Sequence, residues 1–165
     1  LIAAMNPSPT GSIENNRSTY DQTMRYLHKV SSPLLERIDI QVEVKKHALI
    51  ANDADTSAYS TAEIKTQVGQ AQLRQMQRQG CLNHMLSTNA LQQHAKLGSA
   101  EQVFTANAVE KLGLSLRVSQ RLIKIARTIA DLDPQQPPDI QSNHIAEALQ
   151  YRAFDRFLVH YAQHG

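Results

Sequence analysis

From Ser60 to about Phe157 the apolar residues recur at three- and four-residue spacing, and the breaks between them carry helix-starting and helix-ending residues. That pattern restricts the larger part of the chain to a bundle of short helices. Ser60 with Glu63 has capping-box spacing, in which each side chain satisfies a free backbone N–H of the first turn. The helix they open runs to Gln79 and stops at Gly80, a residue suited to a left-handed C-terminal position. A short helix is predicted from about Thr88 to Lys96, with Gly98 behind it. Ser99 with Gln102 repeats the box and opens a helix that ends at Gly113. Ser115 opens the next, which runs to Asp133 and is closed by Pro134. Its apolar face is Leu116, Leu122, Ile123, Ala126, Ile129 and Ala130. After the Pro-rich loop Gln135 to Asp139, Ser142 caps a last helix with Ile145, Ala148 and Leu149 inward.

The residues before Ser60 read differently. Leu1 to Met5 is an apolar run closed by Asn6, Pro7, Pro9 and Gly11, which fits a strand buried on both faces. A lone interior strand leaves its edges unpaired, so the expectation is a portion of a larger protein. Thr19 to Val30 has helical spacing through Met24, Leu27 and Val30, and Ser31-Ser32-Pro33 breaks it. Pro33 to Arg37 is a compact turn, and Ile38, Ile40, Val42 and Val44 then alternate with polar residues as a strand does. Lys45 to Tyr59 has no periodicity and reads as a linker. The predicted organisation is mainly α: a partial α/β layer over 1–44, a linker over 45–59, a helical bundle over 60–157 and a tail over 158–165.

Composition excludes several classes of function. A net charge of +2 on 165 residues does not announce nucleic-acid binding. The one cysteine, Cys81, rules out an internal disulfide framework and suits a reducing cytoplasm. No stretch has the length and apolarity of a membrane helix, and the start has no basic region of a signal peptide.

The chain contains no G-x-x-x-x-G-K-[ST] and no apolar strand ending in Asp-Glu. Phosphates are cradled by the first and Mg²⁺ is held by the second, so the chain is not expected to hydrolyse ATP alone. Asn6, at the end of its strand, either orients a water beside a phosphate or forms the turn before Pro7. Arg37 either reaches a neighbouring subunit's phosphate or pairs on the surface with Glu36 or Asp39. Arg117, Arg121 and Lys124 make a basic stripe opposite the apolar face of their helix. Arg117 falls in the first turn, where the helix dipole already favours anions and a cation is locally unfavourable, so a phosphate sensor is one reason for its placement. Arg74 and Arg78, with Lys65 and Gln67, read as a solvated polar face. Cys81-x-x-His84 and the pair His160 and His164 lack the further ligands of a structural metal site, and no metal is assigned.

Four segments carry a resemblance: A-A-M-N-P-S-P-T-G, S-S-P-L-L-E-R-I-D-I, L-G-L-S-L-R-V-S-Q-R-L-I-K-I-A-R-T-I-A-D-L-D and H-I-A-E-A-L-Q-Y-R. In these the chain resembles the magnesium-chelatase-like AAA+ ATPases of the bacterial ComM (YifB) family. The resemblance implies that 1–44 is the end of an AAA+ α/β core, contributing its last two strands, and that the bundle is its helical lid. It implies sensor 1 at Asn6, an arginine finger at Arg37, and the sensor-2 arginine at Arg117, with Arg121 a weaker nucleotide-binding candidate. For the intact protein it implies ATP and Mg²⁺, a homo-hexameric ring of adjacent subunits, DNA as partner, and branch migration in natural transformation. No cofactor is expected for this stretch alone, and no membrane. Many relatives have cysteines where this chain has Ser8 and Thr10, which argues against a metal site in that loop. Two other readings stay open: a magnesium-chelatase ATPase subunit of tetrapyrrole synthesis, and an inert lid or oligomerisation module.

Overall fold

In the computed structural model, which describes residues 2–6, 25, 34, 36–44 and 59–152, the Ser60–Glu63 pair starts a helix. The Glu63 N–H donates to Ser60 Oγ at 3.2 Å, and the Ser60 N–H donates to Glu63 Oε2 at 2.7 Å. That hydrogen bonding holds the exposed Glu63 carboxyl below its ordinary pKa. The helix, α1 (Thr61–Gln79), ends at Gly80, whose φ of 71° is the left-handed conformation that a Cβ would strain. A 3₁₀ turn (Asn83–Met85) and the helices α2 (Thr88–His94), α3 (Ser99–Leu112), α4 (Leu116–Leu132) and α5 (Ser142–Gln150) follow. The described part of the molecule is mainly helical, in agreement with the pattern of apolar spacing. Two compact units divide the chain, Leu1–Ile38 with Phe154–Gly165, and Asp39–Ala153.

Helix α4 is the axis of the second unit, and α1, α2, α5 and the 3₁₀ turn all pack on it. Leu122, Ala126, Ile140, Ile145 and Ala148 join Leu86, Leu91 and Ala95 in one buried cluster. Ile123, Ile129 and Leu149 close over it. The small residues Ala126 and Ala148 are wholly buried, which lets the α4 and α5 backbones approach closely.

Several element ends differ from their sequence reading. Ser99 is not a cap. Gly98 is the N-cap, and the Gln102 side chain donates instead to the Leu97 carbonyl at 3.0 Å. Leu97 is bridged to Ile140, so the chain enters the helix one residue early and Ser99 is already helical. Ser142 is likewise the first helical residue rather than the cap. The Gln141 N–H donates to His144 Nδ1 at 3.0 Å, and the Ser142 hydroxyl donates across to Glu101 Oε1 on α3 at 2.8 Å. The last helix ends at Gln150 rather than near Phe157, because the Tyr151 carbonyl accepts from the Gln41 N–H at 2.8 Å. Leu116 is exposed rather than inward, and Val118 is the residue of the first turn that is buried.

The predicted strand over Ile38 to Val44 is reduced to a single parallel bridge, Gln41 to Arg152. Ile40, Val42 and Val44 are 55%, 65% and 88% exposed. A strand is stabilised by neighbours on its edges and faces, and a single bridge supplies one edge contact. Residues 2–6 form no strand among the described residues, and Ile2 and Met5 are exposed. The turn before Arg37 is present, with the Arg37 N–H on the Leu34 carbonyl at 3.0 Å. Most of the predicted helix at 19–30, the linker apart from Tyr59, and the tail lie outside the described residues.

The largest correction concerns Arg74 and Arg78, which are half-buried rather than solvated. Both reach Asp131 on α4, a side chain only 1% exposed. Arg78 grips its carboxylate through Nη1 to Oδ1 at 2.6 Å and Nη2 to Oδ2 at 3.0 Å, and Arg74 donates to the Asp131 carbonyl. Arg127, one turn back, adds Nη2 to Oδ1 at 2.9 Å and donates through Nη1 to the Pro138 carbonyl at 2.8 Å. Asn83 completes the cluster. Its amide donates to Asp131 Oδ2 at 2.8 Å and to Thr128 Oγ1 at 3.0 Å, and its carbonyl accepts from Arg78 and Gln79. Among the described residues no buried side-chain N or O lacks a partner.

Burial alone would raise the Asp131 pKa, but hydrogen bonds from Arg78 and Asn83 and the charge of Arg127 outweigh it and hold the carboxyl below its ordinary value. A carboxyl depressed in the folded state stabilises it above the unfolded pKa of about 4, and that contribution is lost as pH falls through the folded value. Asp131→Asn is therefore expected to cost about 3–5 kcal/mol at neutral pH, by leaving two arginines without their counter-charge. In thermal melts of this chain, the loss of stability below about pH 4 should be shallower in the variant than in the wild type. Leu122→Ala, at a side chain 1% exposed, is expected to cost about 2–5 kcal/mol with no change in that pH profile.

Candidate functional site

Ser115 fixes where α4 begins: its Oγ accepts the Val118 N–H at 3.4 Å. Val118 is buried, so the first turn is anchored from below while Leu116 and Arg117 face outward. The first-turn N–H groups and the positive end of the helix dipole make this end receptive to an anion. Arg117 adds a full charge to it. No side chain among the described residues pairs with Arg117.

The stripe predicted from Arg117, Arg121 and Lys124 is present on the face away from Leu122 and Ala126, but its members are not equivalent. Arg121 forms an ion pair with Asp39. Lys124 donates through Nζ to the His84 carbonyl in the 3₁₀ turn at 3.1 Å. These two contacts tie the stripe to its own unit and leave Arg117 as its outward member. The opposite end of α4 is held by the Asp131 cluster and by Asp133, whose Oδ2 lies 3.1 Å from Nε2 of the buried His144. The His144 hydrogen bond, with a further one from the Gln135 N–H, holds the half-buried Asp133 carboxyl below its ordinary pKa.

Asn6 and Arg37 belong to the first unit, and both are exposed. Arg117 and Arg121 belong to the second. Among the described residues no group of three or more His, Cys, Asp or Glu side chains converges, so Cys81 and His84 hold no ligand set between them. His160 and His164 lie outside the described residues. An open groove on α3, lined by Ser99, Ala100, Val103, Phe104 and Asn107, contains no charged side chain. No helix among the described residues is long and apolar enough to cross a membrane.

Sequence reading missed Asn83, Arg127 and Asp131. One signal was available. Arg127 and Asp131 stand at i and i+4 with the cation first, the less favourable order for helix stability, on a stretch that is otherwise mainly apolar. Such a pair is better explained by partners outside the helix.

Two family models match the chain: "Magnesium chelatase, subunit ChlI C-terminal" over residues 58–152 and "Magnesium chelatase, subunit ChlI" over residues 1–52. Among curated relatives, protein YifB of Escherichia coli K12 is 42% identical over 163 residues, 97% of this chain and 32% of the relative. The YifB protein of Salmonella typhimurium is 40% identical over 164 residues, 97% of this chain and 32% of the relative. The competence protein ComM of Haemophilus influenzae is 40% identical over 162 residues, 96% of this chain and 31% of the relative. The chain thus spans about a third of the length of these relatives. The C-terminal family model covers more than half of the residues and coincides with the helical unit built around α4, so the chain belongs to the magnesium chelatase ChlI family.

Proposed function

We propose that the chain is part of a ring-forming AAA+ ATPase that remodels DNA, and that it supplies sensor 1 (Asn6), the arginine finger (Arg37) and the sensor-2 arginine (Arg117). The observation that carries the reading is the outward-facing Arg117 in the capped first turn of α4, on the helix that the rest of its unit packs around. Phosphoryl transfer is catalysed mainly by positioning and by stabilising charge on the transferred group. Arg117 suits the second task within its own subunit, Arg37 the same task across a subunit boundary, and Asn6 the orientation of the attacking water. Arg121, one turn beyond Arg117, is the weaker nucleotide-binding candidate, because its charge is paired with Asp39. In this reading Mg²⁺ and the nucleotide phosphates are held by motifs that this sequence does not contain, G-x-x-x-x-G-K-[ST] among them.

The DNA part of the reading draws on the relative named a competence protein. The family's own description names magnesium chelatase, and this favours one second reading, an ATPase subunit that drives metal insertion into a tetrapyrrole. ATP hydrolysis by the full-length protein, with and without branched DNA, separates the two. Stimulation by DNA is the expected result, and indifference to DNA would favour the chelatase reading.

Arg37→Ala in the full-length protein is expected to lower hydrolysis by roughly a thousandfold or more while sparing nucleotide affinity. Equal loss of both would place Arg37 in its own subunit's nucleotide site. Arg117→Ala is expected to lower both kcat and affinity, because a γ-phosphate contact exists before and during transfer. The 165-residue chain by itself should show no ATPase activity above background, having no phosphate-cradling motif.

A further inference from the structure

Asp39 stands two residues after Arg37 in the sequence, and its carboxylate is the ion-pair partner of Arg121 on α4. Two residues later, the Gln41 N–H is held by the Tyr151 carbonyl at the end of α5 at 2.8 Å. The short segment 39–41 is thus fastened to two helices, by one charged side chain and one backbone bond. Arg121 in turn lies one turn from Arg117 on the same face of α4.

We propose that Asp39 is a positioning residue: its pairing with Arg121 links the end of α4 that carries Arg117 to the segment that carries Arg37. The inference rests on the reading of Arg37 as an arginine finger and of Arg117 as a phosphate sensor. A shift of α4 on nucleotide binding or release pulls Asp39 through Arg121. Asp39 is joined to Arg37 by the two peptide units that flank Ile38. One subunit's nucleotide state thereby sets the finger it offers to its neighbour.

Asp39 is 56% exposed and Arg121 26%, and an ion pair this open to solvent contributes little to folding stability. It is also easily broken and remade, as a coupling element must be. Its expected influence on rate is correspondingly modest, below about tenfold.

The test uses the full-length protein, with kcat and KM for ATP measured for Asp39→Ala, Arg121→Ala, the double variant, and the charge exchange Asp39→Arg with Arg121→Asp. The expected result is a kcat lowered about fivefold in each single variant with KM unchanged, no further loss in the double variant, and recovery in the exchange. Arg37→Ala and Arg117→Ala run alongside. If those two lose activity while Asp39→Ala keeps the wild-type kcat, the coupling is overturned and the functional reading stands. If Arg121→Ala raises KM while Asp39→Ala has no effect, Arg121 acts on nucleotide directly and the coupling is again overturned. If Arg37→Ala hydrolyses ATP at the wild-type rate, the functional reading and the coupling fall together.

Discussion

A single buried carboxylate organises the helical unit. Asp131 is almost wholly out of water, and it is kept ionised by Arg78, Arg127 and Asn83. An unpaired charge in that position would be prohibitive, so the three partners and the elements that carry them are not free to move apart. Through these bonds α1, the 3₁₀ turn, α4 and the Pro-rich loop meet at one point. Apolar burial holds the same elements together without fixing their register, because it has no direction. The carboxylate supplies the direction.

Helix α4 consequently has two different ends. Its C-terminal end is locked by the Asp131 cluster and by Asp133 with His144. Its N-terminal end is capped by Ser115 and packed through Val118, and it presents Arg117 outward. The side contacts of α4, Arg121 with Asp39 and Lys124 with the His84 carbonyl, are open to solvent and correspondingly weak. Buried charge-assisted bonds and solvent-open polar contacts thus fall on opposite halves of one helix.

Most of the helical architecture was legible in the order of the residues. The box of Ser60 and Glu63, the glycine stops at Gly80 and Gly113 and the cap at Ser115 are local devices, read from residues a few positions apart. The readings that failed were those in which a distant residue competed for the same group. Ser99 lost its cap because Leu97 is bridged to Ile140, and α5 stops where Gln41 takes the Tyr151 carbonyl. Arg78 read as solvated because a helical wheel cannot register a carboxylate 53 positions further along the chain.

The sequence by itself determined the helices of the second unit, their main apolar faces, the basic stripe on α4 and the family resemblance, because each rests on spacing within a short stretch. Tertiary structure alone decided how the basic residues divide. Arg78 and Arg127 went to a buried carboxylate, Arg121 and Lys124 to contacts at the surface, and Arg117 faces outward. The physical reason is that an arginine's role is set by which counter-charge the fold brings within reach and how much water is removed around the pair. Neither quantity exists until the chain has folded.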